Sequence, residues 1–227
     1  MTKKELLAHI DQLNDDLRRL GRDVKHLSLD VQSFKGDRAR PSRKAYPTEG
    51  AEIAIRRALE EWNLNVTEPG GGGASYRIDQ YIRGPEGLGW TWEDEYKRNG
   101  QFAWCGAFAA YAYGPALDYQ IRHKIFASCY RLFNNWGRTA HCRDHETIMI
   151  GDIVVVWTSS DQSIQQGNHI TIALSVPDSA GVFETIEGNA KGAGPDADWR
   201  EGVSRRTRDI KNVAHIYRLL EEDFNER

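Results

Sequence analysis

GDIVVVWTSSDQSIQQGNHITIALSVPDSAGVFETIEGNA, residues 151–190, holds three short β-branched runs separated by turn residues. DIVVVW (152–157), HITIALSV (169–176) and VFETIE (182–187) are each of strand length, and Gly, Asn, Asp and Pro fill the gaps between them. In the second run Ile170, Ile172, Leu174 and Val176 share one face, and His169, Thr171 and Ala173 share the other. Downstream, a short strand at Val203–Arg208 and VAHIYRLL (213–220) continue the pattern. The spacing predicts an antiparallel sheet.

Upstream the period changes. Thr48 can cap a helix ending by Asn65, with Glu49 and Glu52 at its positive end. Ala51, Ala54, Ile55, Ala58, Leu59 and Trp62 form its apolar face. A second helix is expected from Trp104 to Tyr113, and a third from Ser128 to Trp136, stopped at Gly137. The glycine-rich stretch 68–100 between the first two reads as a long irregular segment able to wall a site, and it lacks the GK[ST] of a phosphate loop. Helices followed by an antiparallel sheet make an α+β domain over 48–220, with a charged tail at 221–227.

The first 34 residues differ from the rest. Leu6, Ile10, Leu13, Leu17, Leu20, Val24, Leu27, Val31 and Phe34 follow an unbroken 4-3 spacing, the seam of a coiled-coil oligomerisation helix. β-Branched a positions over leucine d positions favour a parallel dimer, with a trimer next. Residues 35–47, KGDRARPSRKAYP, set five basic residues against Asp37 and read as a solvated linker.

Composition excludes several classes. A net charge of −3 offers no basic face for nucleic acid, and no apolar run reaches the ~20 residues of a membrane span. MTKKELLAHIDQL lacks the continuous apolar core of a secretory signal, so synthesis in the cytoplasm and export by another route are expected. Cys105, Cys129 and Cys142 are an odd count, which points to free thiols rather than a disulfide framework.

Three of these segments carry chemistry. In FAWCGAFAAYAY, Cys105 stands at the start of a small-residue helix, where free N–H groups and the helix dipole favour thiolate. The glycine and alanines after it allow close approach to a sheet. His169 opens its strand on the less apolar face and suits a general base. In VFETIEGNA, either Glu187 or Asn189 can accept from the second imidazole nitrogen, as the third member of a triad does. HCRDHE (141–146) competes as a site, since a helix there would bring His141 and His145 together beside Cys142 and Asp144, with Cys129 as an outside ligand. A surface loop is the preferred reading, and no metal or other cofactor is assigned.

WCGAF opening a helix, a Trp-Gly helix end, then GDIVVV, NHITIAL and TIEGNA in that order resemble the CHAP-type cysteine, histidine-dependent amidohydrolases/peptidases of phage and bacterial wall hydrolases, over about residues 50–220. The resemblance implies a papain-like fold and cleavage of amide bonds in peptidoglycan peptide at the cell wall. It also implies Cys105 as nucleophile, His169 as base, and Glu187 or Asn189 as third member; carboxylate chemistry puts Glu187 first, since it also stabilises the imidazolium, and Asn189 would then orient groups or support the oxyanion. Family members often carry Gln directly before the nucleophile, where this chain has Trp104. Oxyanion support is therefore expected from the Cys105 backbone N–H, with Gln101 and Trp104 as neighbouring candidates. Other readings of the same fold are a deamidase, acyltransferase or toxin acting on protein; a coiled-coil tail protein with an inactive module is the non-enzymatic one.

Overall fold

The computed structural model describes residues 48–68, 75–84, 86–89, 103–118, 121–122, 126, 128–144, 147–158, 162–193 and 198–224. The expected coiled coil at 1–34 and the linker at 35–47 lie outside them. The described chain is α+β, with four α-helices and one six-stranded antiparallel sheet. Among these residues no helix is long and apolar enough to cross a membrane.

Helix α1 spans Glu49–Asn63, and the Thr48 hydroxyl accepts from the Ala51 N–H at 3.0 Å. Its apolar face is buried as the pattern predicts, save that Leu59 and Trp62 are only partly covered. The second helix corrects an expectation. Within the stretch read as irregular, Tyr76–Arg83 forms α2, capped by Ser75 and burying Ile78, Tyr81 and Ile82. Glu61 of α1 is buried and ties the two together, accepting from Arg77 Nε at 2.7 Å and from the Tyr81 hydroxyl at 2.6 Å. Helix α3 is Cys105–Tyr113, and α4 is Cys129–Trp136, capped by Ser128 and ended at Gly137.

The strands are β1 (Cys142–Arg143), β2 (Ile153–Val156), β3 (His169–Ala173), β4 (Val182–Ala193), β5 (Asp198–Asp209) and β6 (Val213–Tyr217). They lie in the order β1-β6-β2-β3-β4-β5, all neighbours antiparallel. The runs at 182–187 and 203–208 prove to be the paired parts of a much longer hairpin, β4–β5. One sheet face, with Ile153, Val155, Ile170, Ile172, Ile186 and Val203, joins the core built with the helices. The opposite face, with Val154, Val156, Ala173, Phe183, Val213 and Ile216, forms a second apolar cluster. Strand β2 is thus buried at all four residues, which is why it reads IVVV without polar alternation. The tail expected from 221 is packed as far as Phe224: Glu221–Asp223 make a 3₁₀ turn, and buried Asp223 receives His141.

Candidate active site

Cys105 is the first residue of α3, so its thiol sits where helix N–H groups lack internal acceptors. Nearly every residue of this helix is buried. Gly106 is obligatory there, because a Cβ would run into the Phe126 carbonyl and lie 3.1 Å from Ile170 Cδ1. The small residue makes room for a loop carbonyl as much as for the sheet. From the other side Gly188 of β4 meets α3, where a Cβ would lie 2.5 Å from Phe108 Cβ and 2.6 Å from the Trp104 ring. Two glycines from different elements therefore set how near the helix that Cys105 opens lies to the strands.

His169 opens β3 beside Val156 of β2. Its Nε2 lies 3.0 Å from Glu187 Oε2, and the ring is within hydrogen-bonding reach of the Cys105 thiol. With Nε2 on the carboxylate, Nδ1 is the nitrogen left for sulfur. Cys105 and His169 keep 6 % and 8 % of their surfaces open and Glu187 none, so a reactant can reach only the sulfur and imidazole end of the line.

The Glu187 carboxylate is saturated with donors. Oε1 accepts from the Thr185 hydroxyl and from Arg208 Nε at 2.7 Å, while Oε2 accepts from His169 and from the second nitrogen of the Arg208 fork. Burial alone would push this carboxyl up, but His169 and Arg208 together hold it down at about 2. The same balance runs along the line. Burial lowers His169, yet the Cys105 charge and hydrogen bond, then Glu187, raise it to about 10. Burial raises the Cys105 thiol, but the facing His169 and the backbone N–H groups of Ile170 and Gly106 outweigh that and bring it below its ordinary value. The arrangement favours a thiolate–imidazolium pair resting on a carboxylate. Cys129, at the start of α4, is the contrast: burial and the neighbouring Cys105 charge push its thiol up, so it stays protonated.

The two candidates for third member separate cleanly. Glu187 faces His169, whereas Asn189 points elsewhere. Its Oδ1 accepts from the Trp104 backbone N–H at 3.1 Å and its Nδ2 donates to Glu201 at 2.9 Å. Asn189 has φ 58°, within an irregularity of the β4–β5 pairing between Glu187 and Ala190. Both N–H donors of Trp104 are engaged within the protein. Its backbone N–H goes to Asn189 and its indole N–H to Glu68 at 2.7 Å. Gln101 lies outside the described residues. Sequence reading missed Arg208 and Thr185; the alternation of VSRRTR places Arg208 on a strand face, but nothing local names its partner.

The competing segment is organised differently from the helix that metal binding required. Cys142 and Arg143 are extended and paired with Tyr217 and Ile216. His141 stacks on Trp136 with ring centroids 4.3 Å apart, and its Nε2 meets Asp223 at 2.9 Å. His145 is outside the described residues, among which no group of three His, Cys, Asp or Glu side chains could hold a metal ion. Compared with protein-family models, with curated proteins and with solved structures, the chain shows no match.

Proposed function

We propose that this domain is a papain-like cysteine amidohydrolase that cleaves amide bonds of peptidoglycan peptide, acting at the bacterial cell wall. The observation that carries the chemistry is the continuous line from Cys105 at a helix start through His169 to the buried Glu187. The substrate class rests on the ordered motifs WCGAF, GDIVVV, NHITIAL and TIEGNA.

In this mechanism the Cys105 thiolate attacks the amide carbonyl and forms a C–S bond. The C–N bond breaks as His169 gives its proton to the leaving nitrogen, releasing an amine and leaving a thioester. His169, now neutral, takes a proton from water; the hydroxide oxygen bonds the carbonyl carbon, and Cys105 departs as thiolate. The Cys105 backbone N–H at the start of α3 suits the oxyanion.

Mass spectrometry of muropeptides after digestion of purified walls tests the proposal. Intact protein should generate new amine termini, and Cys105→Ala should generate none. Walls left unchanged by a folded protein that instead releases ammonia or new amines from protein would transfer the chemistry to a protein substrate.

A further inference from the structure

We infer that Arg208 is a positioning residue: it gives the buried Glu187 a permanent counter-charge, so that His169 can release its proton and recover it without ever leaving a lone charge in the core. The inference rests on the reading of Cys105, His169 and Glu187 as the reacting set.

Geometry singles out this arginine. The cross-strand pairs Phe183–Arg208, Thr185–Arg206 and Glu187–Ser204 place Arg208 four register positions from Glu187, two steps along the same face. Its guanidinium therefore runs along the hairpin past Thr185 to reach the carboxylate as a two-pronged fork. The neighbouring arginines go elsewhere: Arg205 makes an exposed pair with Glu184, and Arg206 donates to the Lys191 carbonyl. Nor does the hairpin need the ion pair to form, since backbone pairing from Val182–Asp209 to Glu187–Ser204 already joins the strands.

The chemistry explains why a permanent cation belongs there. A carboxylate with no exposed surface costs several kcal/mol unless it is paired. If His169 were its only partner, each proton transfer to the leaving amine would strand that charge. The imidazolium would hold its proton too tightly to act as an acid. A guanidinium is a permanent cation, so Arg208 neutralises Glu187 at every stage. With all four acceptor positions of the carboxylate filled, Glu187 has no room for a proton of its own. Among the described residues, the charged or titratable groups on this line are Cys105 on α3, Cys129 beside it on α4, His169 on β3, Glu187 on β4 and Arg208 on β5.

The test follows the His169 ring by NMR in the full-length chain, with Cys105→Ala as parent so that the thiolate does not mask the titration. Arg208→Gln in that parent should move the His169 titration upward by about one pH unit or more, because it leaves an uncompensated negative charge. Arg208→Lys, which retains the charge, should move it by less. With Cys105 present, Arg208→Gln should lose turnover while iodoacetamide still alkylates Cys105 at neutral pH, since alkylation needs the thiolate but no proton release. A purely structural role would leave the His169 titration in place. Should Arg208→Gln not fold, Glu187→Gln is compared with Glu187→Gln/Arg208→Gln, and removal of the arginine should again raise the titration. An unmoved titration in a protein whose Cys105 is reactive overturns the role of Arg208 alone. A Cys105 no more reactive than Cys142 overturns the reading of the site beneath it.

Discussion

Asn189 accepts the backbone N–H of Trp104 at 3.1 Å, tying the residue before Cys105 to the strand that carries Glu187. The bond joins the helical and sheet halves of the site without touching the reacting atoms. It should thus control where Cys105 stands rather than whether it ionises. Asn189→Gly, which accepts the positive φ, is expected to stay folded, keep a reactive thiol and lose about tenfold or more in turnover. Asn189→Ala should add about 1 kcal/mol of strain, seen as a lower urea midpoint.

Glu187 makes stability depend on pH in a definite direction. Its folded value of about 2 lies below the ordinary 4.5, so its contribution is complete above about 4.5 and is lost as pH falls toward 2. His169, raised from 6.5 to about 10, contributes fully below 6.5 and loses that contribution as pH rises toward 10. The pair together should stabilise most between those limits. Glu187→Gln is expected to cost about 3 kcal/mol at pH 6 and progressively less below pH 4. Urea titrations at stepped pH check this; a constant difference down to pH 2.5 would contradict it.

The three cysteines should behave unequally. Cys105→Ala should abolish amide release, while Cys129→Ala and Cys142→Ser keep most of it. Peptide mapping after brief iodoacetamide treatment at pH 7 should find the label on Cys105, because burial raises both other thiols. Turnover should also survive EDTA, since the proposed steps use only thiolate and imidazole. Loss under EDTA with recovery on added zinc would refute that mechanism.

Gly106 brings α3 against the Phe126 carbonyl and Ile170, and Gly188 brings β4 against Phe108 and Trp104. Gly188→Ala should push β4 away from Phe108 and Trp104, separating His169 and Glu187 from Cys105 and costing at least about 2 kcal/mol. Gly106→Ala should be worse, because a backbone carbonyl yields less readily than a side chain. Thermal melts and thiol reactivity measured together distinguish a shifted site from an unfolded one.

The heptad seam of residues 6–34 predicts self-association. Light scattering should find the intact chain dimeric, or trimeric, and a chain starting at Thr48 monomeric. A monomeric full-length protein at micromolar concentration would defeat that expectation.

β-Branched runs bounded by turn residues, together with capping, made much of this fold legible: β3, β2, the two strong cores of β4 and β5, and the boundaries of α1, α3 and α4. Helix α2 was hidden because only Ile78, Tyr81 and Ile82 carry its period, inside glycine-rich surroundings. Between Glu187 and Asn189, carboxylate chemistry favoured Glu187 but the spacing did not decide. Residues two apart on a regular strand share a face, so spacing alone made them equivalent. The irregular pairing and the positive φ at Asn189 send the two side chains to different partners. Arg208 was invisible as a partner because a long-range ion pair leaves no mark on the residues around it.

The order of the elements has a consequence for the newly made chain. Cys105 leaves the ribosome well before His169, Glu187 and, last, Arg208, and β4 is held by β5 on its far side. Until that final hairpin closes, the thiol has neither imidazolium nor helix end fixed against it and keeps the modest reactivity of any cysteine. Under the proposed mechanism, hydrolytic power would therefore arrive only with the last long strand. A polypeptide interrupted between α3 and β5 would lack part of the line from Cys105 to Arg208, and the appearance of a fast-reacting thiol during refolding would serve as a clock for closure of the β4–β5 hairpin.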